Sequence, residues 1–129
     1  MSALVRVATG TLLIFSLAFP LHAAVQDGGT NAAAAVSDLT ARYRAGLDAY
    51  TAGDFGRAAR IFEEIVSRDE KDPMTLKARY FLARSQMKLK QWDAASSGLI
   101  AIYSISASFF TDWNCDYLLG ECRRAQGKD

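Results

Sequence analysis

The sequence predicts an all-α fold of five helices. Apolar residues recur at helical spacing from Leu39 onward, and residues that favour helix ends separate the periodic stretches. The chain also repeats itself at a shift of 37 residues, and an internal repeat of this length is typical of stacked helical hairpins.

The first 23 residues are predicted to be an export signal. Arg6 precedes a short apolar run, TLLIFSLAF, and small residues near Ala23 offer a cleavage site. The run is shorter than the roughly 20 apolar residues that span a bilayer, and an uncleaved N-terminal anchor is the alternative. Residues 24–37 are small and polar and are expected to be a flexible linker before a folded domain at residues 38–129. The expected location is the periplasm or the cell exterior.

The charge balance argues against several functions. The chain carries a formal net charge of +1, and removal of Arg6 with the signal leaves it neutral, so neither nucleic acid nor a membrane surface is an expected partner. The single histidine, His22, lies in the predicted signal. A mature chain without imidazole lacks the usual general base and metal ligand. We therefore expect a non-enzymatic protein without a cofactor or a metal.

The first two helices are predicted from their ends. The first covers residues 39–52 and is interrupted at Gly53, after which Asp54 is expected to cap a second amphipathic helix over residues 55–68. Asp72 followed by Pro73 predicts the start of a third helix, which runs to about Leu89.

The C-terminal third is less regular. A fourth helix is predicted from Trp92 to about Tyr103, and the segment SISASFF that follows fits either a loop or an extension of that helix. Thr111 is expected to cap a fifth helix that reaches about Gln126 and ends at Gly127.

Small residues occupy one position of each copy of the repeat. At a shift of 37, Gly46 aligns with Ala83 and Ala83 with Gly120. A glycine inside a helix costs roughly 1 kcal/mol relative to alanine, so close helix packing is the expected reason for it. The residues predicted to pack the repeats together are Gly46, Ala58, Phe62, Ala83, Ala95, Leu99 and Gly120.

On these residues the chain resembles the tetratricopeptide repeat family. The stretch GLDAYTAGDFGRAARIF carries the motif, and ARSQMKLKQWDAASSGL is a second, weaker copy. The resemblance covers residues 38–129 and implies a short right-handed α-solenoid of two helix-turn-helix repeats plus a C-terminal capping helix. The alternative for the last helix is a fragment of a longer array. The period of 37 exceeds the family's usual value of about 34 and is similar to exported bacterial members associated with the cell envelope.

The resemblance also implies a function and a site. Members of the family bind a protein or peptide segment in a concave groove, so the chain is expected to be an adaptor. The expected groove residues are Tyr43, Leu47, Tyr50, Lys77, Tyr80, Arg84, Met87, Lys88, Asn114, Tyr117, Glu121 and Arg124. Tyr43, Tyr80 and Tyr117 lie one repeat apart and serve either recognition or packing between helices. The Lys, Asn and Arg clamp by which many relatives hold a terminal carboxylate is absent, which favours an apolar or mixed segment. Arg84, Lys77 and Lys88 are either solvated surface charges or attract an acidic segment.

Two cysteines leave a second function open. Cys115 and Cys122 lie about 10 Å apart along one helix, beyond the roughly 7 Å between Cα atoms that a disulfide allows. They are expected to be buried packing residues or to pair between copies of the chain. A self-association module that forms homo-oligomers through the thiols or the last helix is therefore the alternative function.

Overall fold

The computed structural model describes residues 31–68 and 72–128. Helix α1 covers residues 31–51. It is followed by α2 (Phe55–Arg68), α3 (Pro73–Lys88), α4 (Trp92–Ile105), α5 (Ala107–Asp112) and α6 (Cys115–Ala125). The prediction of an all-α fold is confirmed, with six helices and no strand among the residues described. The predicted export signal lies outside those residues, and none of the helices in the two described ranges has the length and apolar character needed to cross a membrane.

The first helix begins earlier than expected. Helical backbone is present from residue 31, whereas the sequence predicted a linker up to residue 37 and a first helix from Leu39. The four consecutive alanines at residues 32–35 have the highest helix propensity of any residue type, and their lack of apolar periodicity concealed this. The described residues belong to two units of the chain, one that includes residues 31–38 and one that begins at Leu39. Residues 31–38 are helical and exposed.

The predicted helix caps are present in the second unit. The Asp54 carboxylate accepts the backbone N–H of Arg57 at 3.1 Å, and the Asp72 carboxylate accepts that of Met74 at 2.8 Å with Pro73 at the first helical position. Both contacts satisfy N–H groups that have no partner within the helix. The chain thus starts α2 and α3 where the sequence indicated.

The 37-residue period is also visible in the backbone. Gly53, Lys90 and Gly127 follow α1, α3 and α6 at intervals of one period, and their φ angles are 81°, 61° and 67°. This left-handed conformation is easy for glycine and unusual for lysine. The sequence predicted a turn at Lys90 and Gln91 in place of the glycine turn of the first copy, and the structure shows that Lys90 adopts the same left-handed conformation as the two glycines.

The prediction of one helix from Thr111 to Gln126 is wrong. The chain forms α5 and α6 instead, separated at Trp113 and Asn114. Ser106 is the cap of α5, because its hydroxyl accepts the N–H of Phe109 at 3.2 Å. Thr111 lies inside α5 and donates its hydroxyl to the carbonyl of Ala107. The break occurs at Asn114, which has φ 51°, because asparagine tolerates this conformation better than most residues.

One part of the core joins α1, α2 and α3. Its fully buried members include Ala58, Phe62 and Ala78. A Cβ atom placed on Gly46 would lie 2.7 Å from two ring atoms of Phe62, so α1 and α2 approach as closely as a glycine allows. The Phe62 ring stacks on Phe81 of α3 at 5.7 Å between centroids. The predicted packing of a small residue against a large one is present in this first copy.

A second part of the core joins α3 to α4, α5 and α6. Its fully buried members include Ala83, Ala95 and Leu99, the equivalents of Gly46, Ala58 and Phe62 in the next copy of the repeat. Both thiols of α6 belong to the same cluster. Small and large residues therefore have the same roles in the first two copies.

The third small position does not pack as predicted. A Cβ atom placed on Gly120 would meet no heavy atom within 4 Å. Gly46 is covered by α2 and Ala83 by α4, whereas no helix follows α6 among the described residues. Close packing explains Gly46 in this structure and does not explain Gly120.

Candidate partner-binding groove

A cavity of about 460 Å³ opens between α3 and α6, beside the first residue of α4. Its lining combines apolar and cationic side chains with one carboxylate. The lining residues are Arg84, Met87, Lys88, Trp92, Leu118, Glu121, Arg124 and Ala125. Pockets of this size that combine apolar walls with a few polar groups are typical of binding sites.

Helical spacing places these side chains along the cavity. Arg84, Met87 and Lys88 are three and four residues apart on α3, so they share one face of that helix. Leu118 and Glu121 share a face of α6 in the same way. Both helices pack against α4, which holds the two faces on either side of the cavity.

Arg84 is positioned by two aromatic rings. Its guanidinium carbon lies 5.5 Å from the ring centroid of Tyr50 and 5.7 Å from that of Tyr80. Contacts of this geometry are attractive because the ring faces are electron-rich. Tyr80 is itself held by an edge contact to Trp113, 4.9 Å between centroids. The guanidinium is therefore oriented before any partner arrives.

The side chains that line the cavity carry a net positive charge. Arg84, Lys88 and Arg124 form no ion pair with a carboxylate in the part of the chain that the structure describes. Glu121 is the carboxylate in the lining, and it accepts the hydroxyl of Tyr117 at 2.9 Å. This hydrogen bond raises the pKa of Tyr117. The cavity thus offers three cations against one carboxylate that already has a partner.

Five of the residues expected in the groove line this cavity. They are Arg84, Met87, Lys88, Glu121 and Arg124. Tyr50 and Tyr80 lie one layer behind the lining and contact Arg84. Tyr117 is hydrogen-bonded to the lining residue Glu121. The remaining four lie elsewhere.

Two of those four belong to the core of the first copy. Tyr43 packs edge-on against Phe62 and Phe81, at 5.9 and 6.3 Å between centroids, and burial raises its pKa. Leu47 packs against the same cluster. The three tyrosines spaced by one repeat therefore have different environments, because Tyr43 is packed and Tyr117 is 61% exposed.

Lys77 and Asn114 are exposed and line none of the cavity described above. Asn114 forms the backbone break before α6 and is placed by that role. The family pattern assigned it to a helix face, where it does not lie.

The sequence pattern missed Trp92, Leu118 and Ala125 as lining residues. Trp92 contacts the core and also faces the cavity. The spacing from Leu118 to Ala125 is a helical signal, whereas Trp92 begins a different helix from the one that Lys88 ends. Neither observation reveals that the lining residues of α3 and α6 oppose each other, which depends on the placement of α6.

Both cysteines are buried, and neither forms a disulfide. Cys115 and Cys122 have no solvent exposure, which agrees with the packing interpretation and leaves no thiol accessible for pairing between copies while α6 is folded. Burial, with a smaller contribution from the charge of Asp116, raises the pKa of Cys115 to about 11. Burial also raises the pKa of Cys122.

We expect the native thiols to react slowly with a disulfide reagent. At pH values below 9, a shift of the Cys115 pKa from 9.0 to about 11 reduces its thiolate fraction about 100-fold, and the thiolate is the reactive form. The folded and guanidinium-unfolded proteins should therefore differ by at least about that factor in labelling rate. Since the unfolded thiol loses its proton first, the free energy of unfolding should also fall as the pH rises from 9 towards 11. Cys115→Ala should weaken this pH dependence, and rapid labelling of both native thiols would contradict the prediction.

A second surface lies on the outer side of α4. Ile100 and Tyr103 are three residues apart on one face of α4 and are 50% and 58% exposed, and Tyr103 contacts Phe110 edge-on at 5.3 Å. No charged residue occurs from Ala94 to Thr111. We call Ile100, Tyr103 and Phe110 the α4 patch. Exposed apolar patches of this kind often mark protein contacts.

Comparisons with known proteins add no identification. A scan against protein-family models, a search of curated proteins and a search of solved structures each found no match to this chain.

Proposed function

We propose that this protein is an exported, non-enzymatic adaptor that binds a segment of a partner protein in the cavity between α3 and α6. The observation that carries the proposal is the convergence of Arg84, Met87, Lys88, Glu121 and Arg124 with Trp92 and Leu118 around one cavity. A cavity that combines apolar surface with polar groups held in fixed orientations suits the recognition of side chains of a partner protein.

The tetratricopeptide-like architecture is part of the proposal. The repeated left-handed residues at Gly53, Lys90 and Gly127 support it. The burial of Phe62 and Leu99 at equivalent positions supports it as well. In this interpretation the described helices form two repeats of a short right-handed α-solenoid, α6 is the capping helix, and the cavity is part of the concave groove. Export to the periplasm or exterior and a role in the cell envelope follow from the predicted signal and the resemblance, and they belong to the same proposal.

Filling the cavity tests the adaptor function. Ala125 is exposed at the end of α6 and lines the cavity, so Ala125→Trp should block it without disturbing the core. Peptides selected from a random display library on the wild-type protein should lose at least about tenfold in affinity on this variant, or about 1.4 kcal/mol. Labelled peptides and fluorescence anisotropy provide the measurement.

Ala94→Trp is the matched control. Ala94 is exposed on α4 and does not line the cavity, so this variant should bind the selected peptides as the wild type does. Peptides that bind both variants equally well would show that the cavity is not the binding site. A selection that enriches no peptide would oppose the adaptor proposal itself.

Self-association is the second candidate, and the α4 patch is the observation that favours it. An uncharged apolar surface can be buried against a second copy of itself without leaving an unpaired charge. Light scattering coupled to size-exclusion chromatography should then show a dimer that Tyr103→Glu dissociates. A monomer at all concentrations would reject this candidate.

A further inference from the structure

We infer that the segment bound between α3 and α6 is acidic, with one apolar side chain seated in the cavity and carboxylates on both sides of it. This inference rests on the proposed adaptor function and specifies its partner. It follows from the positions and the pairing of the charges around the cavity.

The floor of the cavity, formed by Met87, Trp92 and Leu118, favours an apolar side chain in the bound segment. Met87, Trp92 and Leu118 are each partly buried and pack against the core, and each also faces the cavity. They present apolar surface that water covers in the absence of a partner. An aliphatic or aromatic side chain placed there removes this surface from water, which favours binding.

The rim of the cavity, formed by Arg84, Lys88 and Arg124, favours acidic residues on both sides of that apolar side chain. Arg84, Lys88 and Arg124 surround the floor and have no carboxylate partner within the described ranges. The two tyrosine rings hold the Arg84 guanidinium in place, so a carboxylate can bind it with little further loss of side-chain freedom. A basic segment would instead place its charges beside three cations.

The same arrangement favours a peptide over a nucleic acid. A phosphate backbone carries one charge per nucleotide and is usually bound by an extended basic surface. The cavity has three basic side chains on one small rim, beside Glu121, and the whole chain carries a formal charge of only +1. The charge pattern fits a short acidic segment.

Peptides matched in their anchor test the inference. Three labelled peptides share one central phenylalanine and carry aspartate and glutamate, serine and glycine, or lysine on both sides. The acidic peptide should bind the wild-type protein at least about tenfold more tightly than the lysine peptide, and its affinity should fall as ionic strength rises. Ala125→Trp should abolish this binding.

Charge reversal on the rim provides the decisive comparison. Lys88 and Arg124 are exposed, so the double variant Lys88→Glu with Arg124→Glu should fold and should lose about tenfold or more in affinity for the acidic peptide. Arg57→Glu with Arg60→Glu alters the net charge equally on an exposed part of α2, away from the cavity, and should bind as the wild type does. Arg84→Gln, which removes the oriented guanidinium, should also weaken binding.

The possible failures are distinguishable. If the serine or lysine peptide binds best and Ala125→Trp still blocks it, the inference is wrong and the adaptor function stands. Equal losses in the two double variants would show a general charge effect and would also overturn the inference. Tighter binding of a single-stranded oligonucleotide to the same rim would replace the peptide with a nucleic acid. If neither the matched peptides nor a display selection yields a ligand, the adaptor function fails as well.

Discussion

Replacement of Phe62 by alanine is expected to lower the free energy of unfolding by about 3–5 kcal/mol, the usual cost of removing a buried aromatic ring. Phe62 has no solvent exposure. Its ring fills the space beside Gly46, stacks on Phe81 and receives the edge of Tyr43. Its removal would therefore loosen the contacts of α2 with both α1 and α3. Urea denaturation followed by circular dichroism measures the change.

The neighbouring residue is the control for Phe62. Glu63 is exposed on the same helix, so Glu63→Ala should alter the free energy of unfolding by no more than about 0.5 kcal/mol. Phe62→Leu keeps most of the apolar volume and should cost less than Phe62→Ala. Similar stabilities for the wild type and Phe62→Ala would mean that α1 and α2 do not pack through this ring.

Alanine should have opposite effects at Gly46 and Gly120, although the two glycines occupy equivalent positions of the repeat. In a helix interior, Gly→Ala normally stabilises by up to about 1 kcal/mol. At Gly46 the new methyl group would lie 2.7 Å from Cε1 and Cζ of Phe62. The Phe62 ring cannot move away from this methyl group without losing its contacts with Phe81 and Tyr43. Overpacking of about 1–3 kcal/mol should outweigh the helix preference.

At Gly120 the space for a methyl group is open. Gly120→Ala should therefore raise the free energy of unfolding by about 0.5–1 kcal/mol. Denaturation of both variants under the same conditions gives the comparison, and the same sign for both would contradict the assigned packing. Phe62→Leu should relieve the cost of Gly46→Ala, since a smaller side chain leaves space for the methyl group. A double-mutant cycle measures that coupling.

Much of the local structure was predictable from the sequence because short-range interactions determine it. Asp54 and Asp72 bind N–H groups two or three residues away, and Pro73 already has the backbone angle of a first helical residue. The pattern from Phe55 to Arg68 predicted α2 with its observed bounds. These features do not depend on how the helices are arranged in space.

The errors occurred where two local preferences compete. Thr111 and Ser106 are both suitable caps, and the structure uses Ser106, so α5 and α6 replace one predicted helix. Phe109 stacks on Trp113 at 4.7 Å between centroids, and this contact accompanies the break at Asn114. Lys90 adopts a backbone conformation that its residue type disfavours. Sequence propensity alone could not have selected either result.

The sequence by itself determined the helical class, the caps of α2 and α3, and the 37-residue period that relates Gly46 to Ala83 and Gly120. Only the tertiary structure decided which of those small positions are covered, and that Leu118 and Ala125 face Arg84 and Met87 across a cavity. The physical reason is one of distance along the chain. Caps and helical faces arise from residues within a few positions of each other, whereas a cavity depends on how distant helices pack against a common neighbour.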